Sequence, residues 1–300
     1  MRVFLTGATG FIGSRIVPEL IGAGHHVLGL TRSDAGARWL EQAGAEPYRG
    51  TLEEPESLAR GATLADAVIH TAFDHEFSRF VENCDKDRRV IEAIASVLAG
   101  SNRPFIITSG TGMGSSKPGA LATEDVFDAQ NPNPRRLSEL AGEEAAERGV
   151  SVAVVRLPQV HDTVKQGLIS PAIEIARQRS ASAYVGDGTN RWPAAHVIDV
   201  ARLYRLALDN HAKGARWHAV AEEGVTVRLI AETIGVGLRV PVKSLSSDEA
   251  AHHFGWLALF AGMDLPASSA LTRERLGWEP SGAGLIEDLR NMDYGSVGTR

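Results

Sequence analysis

The stretch that most constrains this chain is its start, MRVFLTGATGFIGSRIVPELIGAGHHVLGLTR. A short apolar run, Val3 to Thr6, meets the turn Gly7-Ala8-Thr9-Gly10-Phe11-Ile12-Gly13. The run is rich in Val, Phe and Leu, as suits a strand buried on both faces. Beyond the turn, Ile12, Ile16, Leu20 and Ile21 recur at helical spacing until Gly22 and Gly24 end the helix. A second apolar run covers Val27 to Leu30. Strand, glycine turn, helix and strand in about thirty residues make the unit that binds dinucleotides.

The glycines have mechanical reasons to be there. Gly7 allows the tight exit from the strand, Gly10 lets the backbone approach a pyrophosphate, and Gly13 lets helix and strand pack closely. Thr9, Phe11 and Ile12 complete the turn, whose unpaired N–H groups at the positive end of the helix would hold the phosphates. The competing reading is a structural turn with no ligand.

Composition narrows the classes. Three hundred residues at 43% hydrophobic content suffice for one large domain or two closely joined ones. The net charge of −6, with Lys and Arg dispersed, argues against nucleic acid as a main partner. The single cysteine, Cys84, rules out an internal disulfide framework and fits a reducing compartment. No segment approaches a membrane span. The expectation is a soluble cytoplasmic protein, monomer or homodimer, that acts on a small-molecule substrate and binds neither nucleic acid nor membrane.

The GxxGxxG spacing of GATGFIG resembles the short-chain dehydrogenase/reductase superfamily in its extended and atypical, epimerase/dehydratase-like branches. The resemblance implies an α/β fold, a Rossmann-type doubly wound parallel sheet with a small, mostly helical C-terminal substrate region. Residues 1–160 would form the NADP-binding domain, to which the chain returns at about 195–222. Residues 161–194 and 223–300 would form the substrate region.

The second strand runs into Thr31-Arg32-Ser33. A ribose 2′-hydroxyl is normally held here by an acid, whereas a 2′-phosphate needs a cation and hydroxyl donors. Arg32 and Ser33 therefore favour NADP over NAD; the alternative is a solvated surface arginine. The superfamily contacts adenine through Asp-Leu where this chain has Thr51-Leu52, so Leu52 carries over and Thr51 departs. A strand over Asp66 to Phe73 resembles the superfamily's fourth, whose end, Thr71, Ala72 and Phe73 here, passes under the cofactor. His70 reads as a core histidine bonded to the backbone. A long helical segment from His75 to Gly100 carries Asn83 where extended members have an active-site Asn, with Asp87 as a second candidate and Asp85 on a solvated face.

The resemblance loosens at the chemistry. A fifth strand, Pro104 to Gly112, places Ser109 at the superfamily's active-site serine, with Thr111 two residues on; either hydroxyl can bond a substrate carbonyl. The usual proton relay needs a Tyr and, one helical turn later, a Lys that lowers its pKa. Residues four beyond Tyr48, Tyr184, Tyr204 and Tyr294 are Leu52, Gly188, Leu208 and Gly298, and the expected positions hold Arg135 and Glu139. Arg stays protonated near neutrality, so it is no acid or base. Arg135 either orients an anionic substrate, with Glu139 as its pair, or belongs to an exposed helix start.

A sixth strand ends in RLPQVH, resembling a segment whose backbone meets the nicotinamide through Leu157, Pro158 and Val160. His161, read as lying just past a strand's carboxyl end, is a candidate proton carrier, with a plain loop histidine as the alternative. VGDGTNRWPAAHVIDVA resembles the extended branch, with Arg191 and Trp192 as pocket candidates, His196 in the internal polar framework and Asp199 as a helix cap. Phe254, Trp256, Leu257 and Phe260 read as core or as a cap over the pocket. No GxSxG elbow, phosphate-binding GxxxxGK[ST] loop or zinc-ligand spacing occurs. Three functions remain: an NADP-dependent oxidoreductase of a small carbonyl or alcohol, a nucleotide-sugar epimerase or dehydratase, and a non-catalytic NADP-binding redox sensor.

Overall fold

Apolar side chains alternate along the inner strands and sort into two cores. In the computed structural model, which describes residues 1–295, Val3 and Leu5 enter one core and Phe4 the other. Such a strand needs cover on both faces. The strands are β1 (Arg2–Thr6), β2 (His26–Thr31), β3 (Glu46–Arg49), β4 (Ala67–His70), β5 (Pro104–Gly110), β6 (Ser151–Leu157), β7 (Gln159–His161), β8 (Ser182–Val185), β9 (Arg191–His196), β10 (Arg216–His218), β11 (Glu222–Thr226) and β12 (Val242–Leu245). The helices are α1 (Gly13–Gly22), α2 (Asp34–Gln42), α3 (Pro55–Thr63), α4 (Phe80–Leu98), α5 (Arg136–Glu147), α6 (Ile169–Arg179), α7 (Val197–Asp209), α8 (Val227–Leu238), α9 (Ser247–Phe254), α10 (Ala258–Ala261), α11 (Ala270–Leu276) and α12 (Leu285–Asn291).

Seven strands form one parallel sheet in the order β10-β6-β5-β4-β1-β2-β3. Helices α1, α2 and α7 pack on one face through Ile16, Leu20, Leu40 and Leu203. On the other face α3, α4 and α5 pack through Leu58, Ile94 and Ala141. The sheet is therefore doubly wound. Its order reverses between β1 and β4, which opens a crevice at their carboxyl ends. Each fully buried Leu or Ile contributes about 1.5–3 kcal/mol to this arrangement.

The remaining elements carry two small sheets, β11-β9-β7 and β12-β8, besides helices α6, α8, α9, α10 and α12. The region is mostly helical, as expected, and these two small sheets are its addition to that reading. Its strands escape a periodicity reading because β7 has three residues and β12 shows no alternation, with Val242, Lys243 and Ser244 all exposed. Only Pro158 separates β6 from β7, so the chain passes directly from the large sheet to a small one.

Several boundaries move. The long helix begins at Phe80, after a 3-10 turn over Phe77–Arg79, rather than at His75. Helix α7 begins at Val197, and its cap is His196, whose Nδ1 accepts from the Ile198 N–H at 3.3 Å. Asp199 is not that cap: its carboxylate accepts from the N–H groups of Ser281 and Gly282 at 3.0 and 2.7 Å. Trp278, fully buried, donates from Nε1 to the Asp199 carbonyl at 2.9 Å, so the C-terminal segment is fastened to α7. Among the described residues, no helix is long and apolar enough to cross a membrane, and no cluster of His, Cys, Asp or Glu could hold a metal ion.

Candidate functional site

The glycine turn is built to be close and open at once. Gly7 has φ +70°, and a Cβ there would lie 2.8 Å from both Thr71 Oγ1 and Ala72 N; a Cβ on Gly13 would lie 2.0 Å from the Gly7 oxygen. The exits of β1 and β4 are stitched together at this point. Thr71 Oγ1 donates to the Thr6 carbonyl at 2.7 Å, and Thr6 Oγ1 accepts from the N–H groups of Thr71 and Ala72 at 3.1 and 3.2 Å. Among the described residues, nothing accepts from the backbone N–H groups of Phe11, Ile12 and Gly13. Helix α1 has neither a side-chain cap nor an acid in its first turn. Three free N–H groups at a positive helix end fit a dinucleotide pyrophosphate.

The loop after β7 leans on this turn. Lys165 Nζ stands 5.8 Å from the centre of the Phe11 ring, and Arg15 lies 3.7 Å from Asp162. The Asp162 carboxylate accepts from the N–H groups of Val164 and Lys165, which fixes the loop. No motif marks Lys165, and only the folded chain brings it to the crevice.

At the end of β2, Arg32 is exposed and makes no ion pair among the described residues. Ser33 caps α2, its Oγ accepting from the Gly36 N–H at 3.1 Å. The one nearby acid, Asp34, is paired with Arg49. A free cation beside a neutralised carboxylate suits a phosphate better than a ribose hydroxyl. Leu52 is half-buried against the second core, and its neighbour Thr51 donates to Glu53. Hydrogen bonds from Thr51 and Lys86 hold the Glu53 carboxyl down at about 2. Lys86 also reaches Asp74 at 2.8 Å, linking the loops after β3 and β4.

Helix α5 corrects the sequence reading most. Neither Arg135 nor Glu139 is exposed, and they do not pair with each other. Arg135 Nη1 donates to Asp87 Oδ2 at 2.6 Å and Nη2 to the Thr108 carbonyl at 2.8 Å, while its guanidinium lies 4.2 Å over the Phe73 ring. Asp87 also accepts from Ser138 Oγ at 2.6 Å and lies 3.0 Å from His70 Nε2. Thr6 Oγ1, already accepting two N–H groups, gives its own proton to His70 Nδ1 at 2.7 Å, so Nε2 carries the hydrogen that Asp87 accepts. His70 is buried, as expected, but its partners are side chains. Burial pushes Asp87 up, and the Arg135 charge with bonds from His70 and Ser138 outweighs it, leaving the carboxyl at about 2.

Glu139 faces Arg156, both side chains fully buried, through bonds of 2.8 Å from Nε and 2.7 Å from Nη2. Arg216 adds a third at 3.1 Å. Burial raises the Glu139 carboxyl and these cations lower it further, so the net shift is down. Arg135 and Glu139, where the resemblance places the proton relay, are the centres of two internal ion-pair networks.

Other candidates also move. Ser109 is 3% exposed and lies on the same side of β5 as Phe105 and Ile107, with its hydroxyl beside Glu139 rather than in the crevice. Thr111 follows at the carboxyl end of β5, and among the described residues its hydroxyl has no partner. His161 is no loop residue: it ends β7, fully buried, with Nδ1 2.7 Å from Asp288 of α12. Burial lowers its pKa against the pull of Asp288. It closes the small sheet onto α12 and does not face the cofactor crevice. Val160 is a core residue, while Leu157, which ends β6, and Pro158, which follows it, are half-buried. Trp192 is core too, and Arg191 is paired with Asp264 at 2.8 Å. Asn83 donates to the Glu76 carbonyl at 2.9 Å, which leaves Asp87 as the acid that turns inward.

A surface cavity of about 650 Å³ opens between α8 and α12, lined by residues such as Leu229, Arg239 and Tyr294. None of its lining residues belongs to the glycine turn or to the ends of the large sheet's strands.

Known proteins agree with this geometry. The chain is 48% identical to protein C2A9.02 of Schizosaccharomyces pombe, over 98% of this chain and 100% of that one. The fold matches human epimerase family protein SDR39U1, solved with NADPH, at a TM-score of 0.72 and 20% identity, covering 98% of this chain and 99% of that one. It matches UDP-glucose 4-epimerase of Thermus thermophilus, solved with NAD, also at 0.72 and 20% identity, over 99% and 100%. Residues 3–220 match the model of the NAD dependent epimerase/dehydratase family. The chain therefore belongs to the NAD dependent epimerase/dehydratase family.

Proposed function

We propose that this protein is an NADP-dependent oxidoreductase of the atypical short-chain dehydrogenase type, acting on a small carbonyl or alcohol. The observation that carries the reading is the pair of uncommitted groups at the crevice: the free N–H groups of Phe11, Ile12 and Gly13, and the unpaired Arg32. The first would hold the pyrophosphate and the second, with Ser33, the 2′-phosphate. Leu52 would meet the adenine, and Thr71, Ala72, Phe73, Leu157 and Pro158 would meet the nicotinamide end. When bound, NADPH supplies the hydride. The chain's part is to place the substrate, with the free Thr111 hydroxyl as the donor to a carbonyl oxygen and water as the proton source.

A specific observation favours a second reading, an NADP-binding sensor without turnover. Arg135 and Glu139 are both committed to internal ion pairs, so α5 offers no acid or base. The same commitment weighs against an epimerase or dehydratase, whose reversible oxidation at one carbon uses the Tyr and Lys missing here. Oxidation of NADPH at 340 nm against a panel of aldehydes and ketones separates the two readings. The oxidoreductase consumes cofactor with at least one of them; tight NADPH binding with no consumption leaves the sensor.

A further inference from the structure

Five half-buried aromatic residues run in an unbroken chain from the exit of β4 to α10 and the 3-10 turn Gly255–Leu257 before it. Phe73 and Phe80 have ring centres 6.3 Å apart, Phe80 and Phe77 5.6 Å, and Phe80 and Phe260 6.1 Å. Phe77 lies face to face with Trp256 at 4.7 Å and an interplanar angle of 4°. Each of these side chains has 150–250 Å² to bury, roughly, and the interior takes such residues first. None of the five is fully buried, whereas their neighbours Phe254 and Leu257 are 5% and 1% exposed. The cluster expected from the sequence therefore divides into core and an apolar wall that is left open.

The wall begins at the cofactor crevice. Phe73 directly follows Thr71 and Ala72, which press on the glycine turn, and its own ring carries the Arg135 guanidinium at 4.2 Å. His75, with its ring 5.4 Å from Phe73 and 6.0 Å from Phe77, is the hydrogen-bonding member of the chain. His75 is exposed; partial removal from water, then the Lys165 and Arg135 charges, push its pKa below the ordinary value, and a neutral imidazole keeps one ring N–H to donate to a carbonyl oxygen.

We propose that the ring wall of Phe73, Phe77, Phe80, Trp256 and Phe260 is a substrate subsite for planar aromatic carbonyl compounds, with His75 bonding the carbonyl oxygen. The inference rests on the oxidoreductase reading for the identity of the carbonyl, and on the rings alone for the aromatic preference. Phe77 and Trp256 already stack on each other, so a flat π system would add to the outer side of that stack, which a saturated ring of equal carbon count cannot match.

The test pairs 2-naphthaldehyde with decalin-2-carbaldehyde, measuring binding to the full chain saturated with NADP⁺ by calorimetry, and NADPH oxidation separately. The aromatic aldehyde binds about tenfold more tightly, and Phe77→Leu and Trp256→Leu each weaken it by about three- to tenfold while leaving the saturated analogue unchanged. Both substitutions keep an apolar side chain, and an unchanged thermal midpoint verifies folding. Equal binding of the two aldehydes, or no effect of Phe77→Leu, overturns the subsite. A dimer that Phe77→Asp dissociates, with no aldehyde binding, overturns it in favour of a second copy on this wall. Aromatic preference in binding without NADPH oxidation leaves the subsite standing and removes the oxidoreductase; oxidation without preference does the reverse.

Discussion

The two ends of the cofactor crevice treat their polar groups in opposite ways. At the glycine turn the donors are left open: three backbone N–H groups and Arg32 have no acceptor among the described residues. At the start of α5 the polar groups are consumed: Arg135 is held by Asp87, Ser138 and the Thr108 carbonyl, and Glu139 by Arg156 and Arg216. An open donor next to a crevice is a binding group waiting for its partner; a buried ion pair is a structural part whose removal costs stability. In this chain the donors of the glycine turn stay open, and the polar groups at the start of α5 are built into the scaffold.

That contrast can be broken by substitution on α5. Glu139→Ala leaves Arg156 buried without its partner and should lower the unfolding free energy by about 3–5 kcal/mol in urea. Arg135→Leu strands Asp87 in the same way and should cost a similar amount. The double change Arg135→Tyr, Glu139→Lys, which writes the family's dyad back in, should destabilise the protein rather than create turnover, because both buried partners lose their counter-charge. A stable double variant with raised NADPH oxidation would erase the distinction between the two ends.

The scaffold should also be sensitive to acid. His218, whose Nδ1 lies 2.8 Å from the Ser268 carbonyl and Nε2 3.2 Å from Arg156, is pushed down to about 4 by burial and then by that arginine. The unfolded histidine takes up its proton near 6.5 and the folded one only near 4, so stability is lost as pH falls through that window. The loss approaches about 3 kcal/mol. His218→Gln should flatten the pH dependence of the urea midpoint over this range. Below it, protonation of Asp87 brings a second fall between its ordinary value of 3.8 and about 2.

The smallest effects sharpen the comparison by their size. Ser109→Ala removes a buried hydroxyl on the Glu139 side of β5, not in the crevice, and should change turnover by less than about twofold and stability by less than about 1 kcal/mol. Thr111→Ala, one residue past the carboxyl end of that strand and with a hydroxyl unpartnered among the described residues, should reduce turnover several-fold more than Ser109→Ala. Steady-state rates on one carbonyl substrate compare the two directly.

Much of the fold was legible because its determinants are local. GATGFIG announces its turn within seven residues, and the inner strands announce burial on both faces by their unbroken apolar runs. The side chosen by Ser109 was legible in principle, since Phe105, Ile107 and Ser109 share a period of two. The roles of Arg135 and Glu139 were not. Arg135 meets an aspartate 48 residues away, and nothing near it in the chain distinguishes an inward guanidinium from a solvated one. His161 was misplaced for the same reason: its partner, Asp288, is 127 residues distant, and β7 is recognisable only through its pairing with β9. The cofactor end is local and readable, whereas the α5 end is assembled from remote pieces.

The central claim is that this crevice selects a phosphorylated dinucleotide through a cation that the fold leaves free. Fluorescence titration of NADPH and NADH into the wild-type chain and into Arg32→Asp tests it directly. The wild type should bind NADPH about tenfold or more tightly than NADH. The substitution should weaken NADPH by about tenfold to a hundredfold, the worth of a charged hydrogen bond, and leave NADH within about threefold. Equal affinity of the wild type for both cofactors, or an equal loss for both on substitution, would contradict the account.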